Sequence, residues 1–188
     1  KNLNLKLTVG QRFALVGRNG AGKTTLVKLL LRMYEPASGQ ITLNGIDIAK
    51  YDYDEYMRIF SVVFQDFRLF NFPLDENIAG SENVDDERIK DVICKVGLSG
   101  RVAKMHNGIH TSIDHEAADG ESLSGGEAQK AAVVRALYKD APFVILDEPT
   151  AALDPVAEAQ MYEKFNELVG DKTSIYISHR MSSCKFCD

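Results

Sequence analysis

The chain has 188 residues, enough for one sizeable core but not for two large independent domains. Its 22 basic and 27 acidic residues leave a net charge of −5, with no lysine or arginine block, which argues against a nucleic-acid partner. Apolar runs stop at four residues, far short of the ~20 needed to span a bilayer, and three cysteines build no disulfide framework, fitting a reducing compartment such as the cytosol.

Residues 3–9, LNLKLTV, alternate like a strand in mid-sheet, and further strand signals lie at 13–16, 40–43, 61–64, 143–146 and 174–177. Helical patterns fall at 23–32, 85–96, 127–139 and 155–169, the last with Pro155 at a favourable first-turn position. Such alternation predicts an α/β fold with a mainly parallel sheet. The polar stretch from about 51 to 120 has no strong strand after Phe64 and reads as a mostly helical insertion, giving one domain over 1–188 with a helical subdomain at about 66–138. Both ends look cut, since the chain starts inside a strand pattern and stops soon after another. A fragment of a longer protein is expected.

The segment Gly17-Arg18-Asn19-Gly20-Ala21-Gly22-Lys23-Thr24-Thr25 follows the apolar FALV and opens the helical KTTLVKLLL, the context that the G-x-x-x-x-G-K-[ST] phosphate loop requires. Its glycines let successive backbone N–H groups face a phosphate, Lys23 reaches the outer phosphates, and the Thr24 hydroxyl suits Mg²⁺. Such a loop needs a second strand that brings a carboxylate to the metal. Residues 143–146 end in Asp147 and Glu148: Asp147 is the candidate metal holder, and Glu148 the candidate that orients or deprotonates the attacking water.

A second glycine-rich helix start reads ESLSGGEAQK at 121–130. The spacing predicts a capping box, with Ser124 capping the helix and Glu127 reaching back to it. Capping does not explain Gly125 and Gly126, each of which weakens a helix start by roughly 1 kcal/mol relative to alanine. Two consecutive glycines suit a close approach to the backbone.

With these residues together, the chain resembles the nucleotide-binding domain of ATP-binding cassette (ABC) transporters, a P-loop NTPase fold. The resemblance rests on the Walker A loop at 17–24, Gln65 at the end of SVVFQ, the signature Leu123-Ser124-Gly125-Gly126-Glu127, the Walker B strand ending in Asp147-Glu148, the segment Ala151-Ala152-Leu153-Asp154 and the histidine of YISHR, His179. It spans essentially the whole chain. It implies an ATPase that binds ATP and Mg²⁺ and packs head to tail as a homodimer or heterodimer, the signature of one copy closing over the ATP on the P-loop of the other. By the same resemblance Gln65 contacts Mg²⁺ and water and links the site to a transmembrane domain, His179 touches the γ-phosphate, Asp154 communicates across the dimer, and Ser124 and Gly126 touch the γ-phosphate in trans, with Gly125 between them in the nucleotide-binding turn. The implied location is the cytoplasmic face of a membrane, through a transmembrane domain outside this chain.

Two of the departures from the family pattern bear on the nucleotide. Glu127 replaces the usual signature glutamine, and the aromatic that stacks on adenine lies upstream of these residues; Tyr51, Tyr53 and Tyr56 come too late to replace it and are expected to pack in the helical lobe. FQDFRLFNFPLDENIAG and the SHR at His179 look exporter-like, and soluble cassette ATPases of translation or DNA repair stand as the alternative. Cys184 and Cys187 have C-x-x-C spacing but no second pair to complete a zinc site. His106, His110 and His115 read as members of a variable loop.

Overall fold

The computed structural model describes residues 3–18, 20–114, 119–148, 165 and 167–178. They fall into two compact units, one of the described residues within 1–62, 141–147 and 171–188, the other of those within 63–140 and 148–170.

The first unit is built on a sheet in the order β1-β6-β5-β4. Strand β1 (Arg12–Val16) pairs parallel with β6 (Thr173–Ser178), which pairs parallel with β5 (Phe143–Asp147); β4 (Phe60–Val63) lies beyond β5. Every residue of β6 is buried, as a central parallel strand requires, and its apolar run IYI explains the position. The register sets Leu15 opposite Ile177 and Ile177 opposite Asp147, so β1 and β5 end at one carboxyl edge. Helix α1 (Lys23–Leu30) inserts Val27 into this core, and Leu31 follows it in, both fully buried.

A small hairpin, β2 (Thr42–Leu43) and β3 (Ile46–Asp47), turns through Asn44 and Gly45 at φ 52° and 80°. Both residues have the left-handed backbone that a two-residue Asn-Gly turn needs. Helix α2 (Tyr53–Arg58) begins on Asp52, which accepts the Glu55 N–H at 3.0 Å. Tyr56 is buried in this first unit, not in the helical lobe: its hydroxyl donates to the Leu30 carbonyl at 2.7 Å, and its ring meets Phe60 edge-on, which in turn meets Phe143. Burial pushes its phenol up to about 12. Tyr51 stands 6.1 Å from Tyr56, and the Arg32 guanidinium lies over Tyr53.

Residues 3–9 do not form the expected strand. A strand needs a neighbouring backbone to take its N–H and C=O groups, and no ladder engages this segment among the described residues. Leu3, Leu5 and Val9 remain exposed.

The second unit is helical. It holds α3 (Leu74–Ala79), α4 (Asp86–Val96), α5 (Ser99–Val102) and α6 (Gly125–Lys139). Helix α4 has a helical apolar stripe of Ile89, Val92, Ile93 and Val96, all buried, starts on the Asp85 cap and stops at Gly97 in the left-handed region. Both α3 and α4 pack on α6, whose Ala131–Val134 segment is buried. The unit is tied by polar contacts as well. His110, which the sequence assigned to a variable loop, sets Nδ1 at 2.6 Å from Asp75 and Nε2 at 3.3 Å from Asp86, joining the starts of α3 and α4. Arg135 on α6 donates to the carbonyls of Asn77 at 2.7 Å and Arg68 at 3.2 Å, while Asn77 binds the backbone of Phe70 and Phe72. The pattern at 155–169 lies outside the described residues except for 165 and 167–169, which are helical.

Candidate nucleotide site

The loop leaving β1 at Gly17 enters α1 at Lys23. Gly20 and Gly22 have φ of 79° and 91°, a conformation that side chains strongly disfavour, so the curl of the loop depends on glycine there. Gly20, Ala21 and Gly22 are exposed. No side chain caps α1 and no acid occupies its first turn, so the first-turn N–H groups and the positive dipole end face outward together. Lys23 folds back over the loop, donating to the Gly17 carbonyl at 2.9 Å and to Arg18 at 3.3 Å. Thr24 and Thr25 follow in the first turn. Asn19 lies outside the described residues.

Asp147 ends β5 at the same sheet edge and is 1% exposed. Glu148, next along the chain, has φ 50°, one of the non-glycine residues in the left-handed region. Backbone strain of this kind recurs at functional sites, and nothing in the sequence signals it. Ser178, the last described residue of β6, pairs with Val16 at that edge. His179 and Asp154 lie outside the described residues.

In the helical unit Gln65 is exposed in a turn two residues beyond β4. The signature turn opens α6 with the capping box that its spacing predicts: Ser124 N–H donates to Glu127 Oε2 at 2.8 Å and the Glu127 N–H reaches Ser124 Oγ at 3.4 Å. Ser124 and Gly125 are exposed. A Cβ placed on Gly125 would meet nothing within 4 Å, and its backbone is not left-handed. Neither packing among the described residues nor its own backbone therefore demands glycine at this position. The Ser124 amide chiefly, then its hydroxyl, Arg101 and Lys130, hold the Glu127 carboxyl below its ordinary range against the effect of burial.

A profile of the ABC transporter family matches residues 1–151. The chain belongs to the ABC transporter family. This ABC domain is 38% identical over 192 residues to the subtilin transport ATP-binding protein SpaT of Bacillus subtilis, covering all of the chain and 31% of that protein. It is 38% identical over 185 residues to an ATP-dependent lipid A-core flippase of Polaromonas sp., covering 98% of the chain and 31% of the flippase. It also resembles the solved structure of a bacterial Atm1-family ABC exporter with ATP bound, with a TM-score of 0.86 and 33% identity over 97% of the chain and 32% of the exporter. The ABC domain thus spans about a third of these relatives and has the α/β P-loop NTPase fold of the family's ATPase domain. Among its described residues no helix is long and apolar enough to cross a membrane.

Proposed function

We propose that the chain binds ATP with Mg²⁺ on the Gly17–Thr25 loop and hydrolyses it to drive export through a transmembrane domain, working as a head-to-tail dimer on the cytoplasmic side of a membrane. The observation that carries the reading is the glycine-dependent loop opening an uncapped helix at the sheet edge where Asp147 ends β5. That SpaT, the flippase and the Atm1-type protein are transport proteins favours export over the translation or repair alternative. The helical unit would correspond to the subdomain expected at about 66–138.

In this reading the loop amides of Gly20, Gly22 and Lys23 cradle the phosphates, with Gly17, Asn19, Thr25 and Ala21, whose own N–H donates to the Arg18 carbonyl at 3.1 Å, completing the loop. The Lys23 ammonium exchanges its loop carbonyls for phosphate oxygens. Thr24, Asp147 and Gln65 offer oxygen donors of the hard type that Mg²⁺ prefers, and the bound ion would neutralise phosphate charge. Glu148 would receive the proton of the attacking water. His179 would contact the γ-phosphate and Asp154 would act across the dimer.

The open space over Gly125 among the described residues supports engagement in trans, since a glycine that they do not require suits the close approach of a partner's nucleotide. Whether the dimer is formed by two copies or by a copy and a related chain is set by the partner. The test pairs two variants. Lys23→Ala is expected to lose ATP retention; Glu148→Gln is expected to keep binding while turnover falls by roughly 10²–10⁴. Retained affinity in the first, or retained turnover in the second, refutes the assignment.

A further inference from the structure

The fifth residue of the signature is an acid, and the fold places a cation against it. Glu127 Oε2 accepts the Ser124 N–H at 2.8 Å and the Ser124 hydroxyl at 2.9 Å, with Arg101 Nε 3.7 Å away. The same guanidinium donates through Nη2 to Glu121 Oε2 at 2.8 Å and to the Ser122 carbonyl at 3.0 Å. One side chain from α5 thus grips both the segment that enters the signature and the acid inside it. Lys130, a second cation near Glu127 among the described residues, donates its ammonium to the Gly97 carbonyl at 3.3 Å. His106 approaches the other Glu121 oxygen, its backbone N–H at 3.0 Å and Nδ1 at 3.6 Å from Oε1.

We propose that Arg101 is a positioning residue for nucleotide engagement: it holds Glu127 turned back onto Ser124 and offsets its charge, so that a triphosphate carried by a second nucleotide-binding domain can approach the Ser124–Gly125 turn. The inference rests on the head-to-tail reading given above. With Arg101 removed, Glu121 and Glu127 leave two carboxylates beside a turn meant for a polyanion. The side chains of Arg101, Glu121 and Glu127 are 21%, 26% and 32% exposed, so water screens the repulsion only in part. The penalty falls on bringing the phosphates in, not on the chemical step.

Four proteins test this on the Glu148→Gln background, where ATP-driven dimerisation is read by sedimentation: the parent, Arg101→Ala, Arg101→Lys, and Arg101→Ala with Glu127→Gln. Arg101→Ala is expected to raise the ATP concentration for half-maximal dimerisation about two- to fivefold, less at high salt. Arg101→Lys, which keeps the charge but not the planar fork, is expected to fall between. Adding Glu127→Gln, which keeps the capping box but removes the charge, is expected to restore the parent value. With Glu148 present, Arg101→Ala is expected to raise KM for ATP with little change in kcat.

If Arg101 only braced α5 against residues 121–122, Arg101→Ala would lower the melting temperature and Glu127→Gln would not rescue dimerisation. That outcome overturns the proposal, as does indifference to Arg101→Ala in a parent that dimerises. A parent that never dimerises with ATP overturns the head-to-tail reading and this inference with it.

Discussion

Replacing Glu148 by alanine and, separately, by glycine divides what its backbone costs from what its carboxylate does. The residue sits at φ 50°. For an L-residue that conformation costs about 1–2 kcal/mol, because Cβ crowds the following carbonyl. Glycine avoids the clash but loses roughly 0.5–1 kcal/mol more chain entropy on folding than alanine. The two variants differ only by Cβ, so the glycine protein is expected to be the more stable by about 0.5–1 kcal/mol, or roughly 1–4 °C in melting temperature for a chain of this size. At a residue of ordinary negative φ the order reverses, so the sign decides the matter. Urea unfolding followed by far-ultraviolet circular dichroism measures the difference, and equal slopes confirm that only stability has changed. Both variants are expected to lose ATP turnover by about 10²–10⁴. An alanine variant as stable as the glycine one refutes the left-handed backbone; turnover surviving in either refutes the role given to the carboxylate.

Arg135→Met removes one short charge-assisted bond to the Asn77 carbonyl and two longer ones, to Arg68 and to Asn77 Oδ1, and burial already lowers the Arg135 pKa. The expected loss is about 2–4 kcal/mol, read by urea unfolding, and a loss below about 0.5 kcal/mol would contradict the hub. The Glu121 carboxyl is held below its ordinary 4.5 chiefly by the His106 amide and next by Arg101, with burial opposing. A depressed native value contributes stability that is present above the unfolded value and lost as pH falls through the native one. Thermal melts from pH 5 down to about pH 3 should therefore show the wild type losing more stability than Glu121→Gln, and parallel acid limbs would refute the contact.

The parts of the fold that could be read from sequence are those where one local pattern has one physical outcome. FALV, FVIL and SIYI are short apolar runs bounded by turn residues, and all three lie in the parallel core. The Ser124-to-Glu127 spacing gave the capping box directly, because both partners lie on one helical turn. Residues 3–9 misled because alternation records which face is apolar, not whether a neighbouring strand exists to bond it. Of the β2–β3 hairpin the sequence signal at 40–43 covers only β2; β3 leaves none, since a two-residue strand carries no period, although the Asn44-Gly45 pair marks the turn. Helices α2 and α3 were missed for the same reason of length, at six residues each. The contacts of His110 and Arg135 join residues 24 to 67 positions apart, and the strain at Glu148 is a backbone property; neither leaves a trace in local sequence.

The two glycine-rich helix starts differ in a way that sets an order of events. Helix α1 has no side-chain cap and no acid in its first turn, and Lys23 adds a positive charge folded over the loop. Helix α6 spends two of its orphan donors internally, the Glu127 N–H on Ser124 Oγ and the Ser124 N–H on Glu127, and carries an acid in its first turn. A dipole contribution of about 0.3–1 kcal/mol, diminished by that acid, would hold a free nucleotide poorly. It suffices to discriminate a phosphate already fixed elsewhere, because the entropy of immobilising the ligand has then been spent on the first contact. Nucleotide would therefore load on the Gly17–Thr25 loop first. The α6 start would join only when a second domain presents the loaded phosphates, and the Ser124 hydroxyl must leave Glu127 to reach them. In the proposed head-to-tail reading, a weak, capped second site would let closure depend on nucleotide and would let the two domains part once the γ-phosphate is gone.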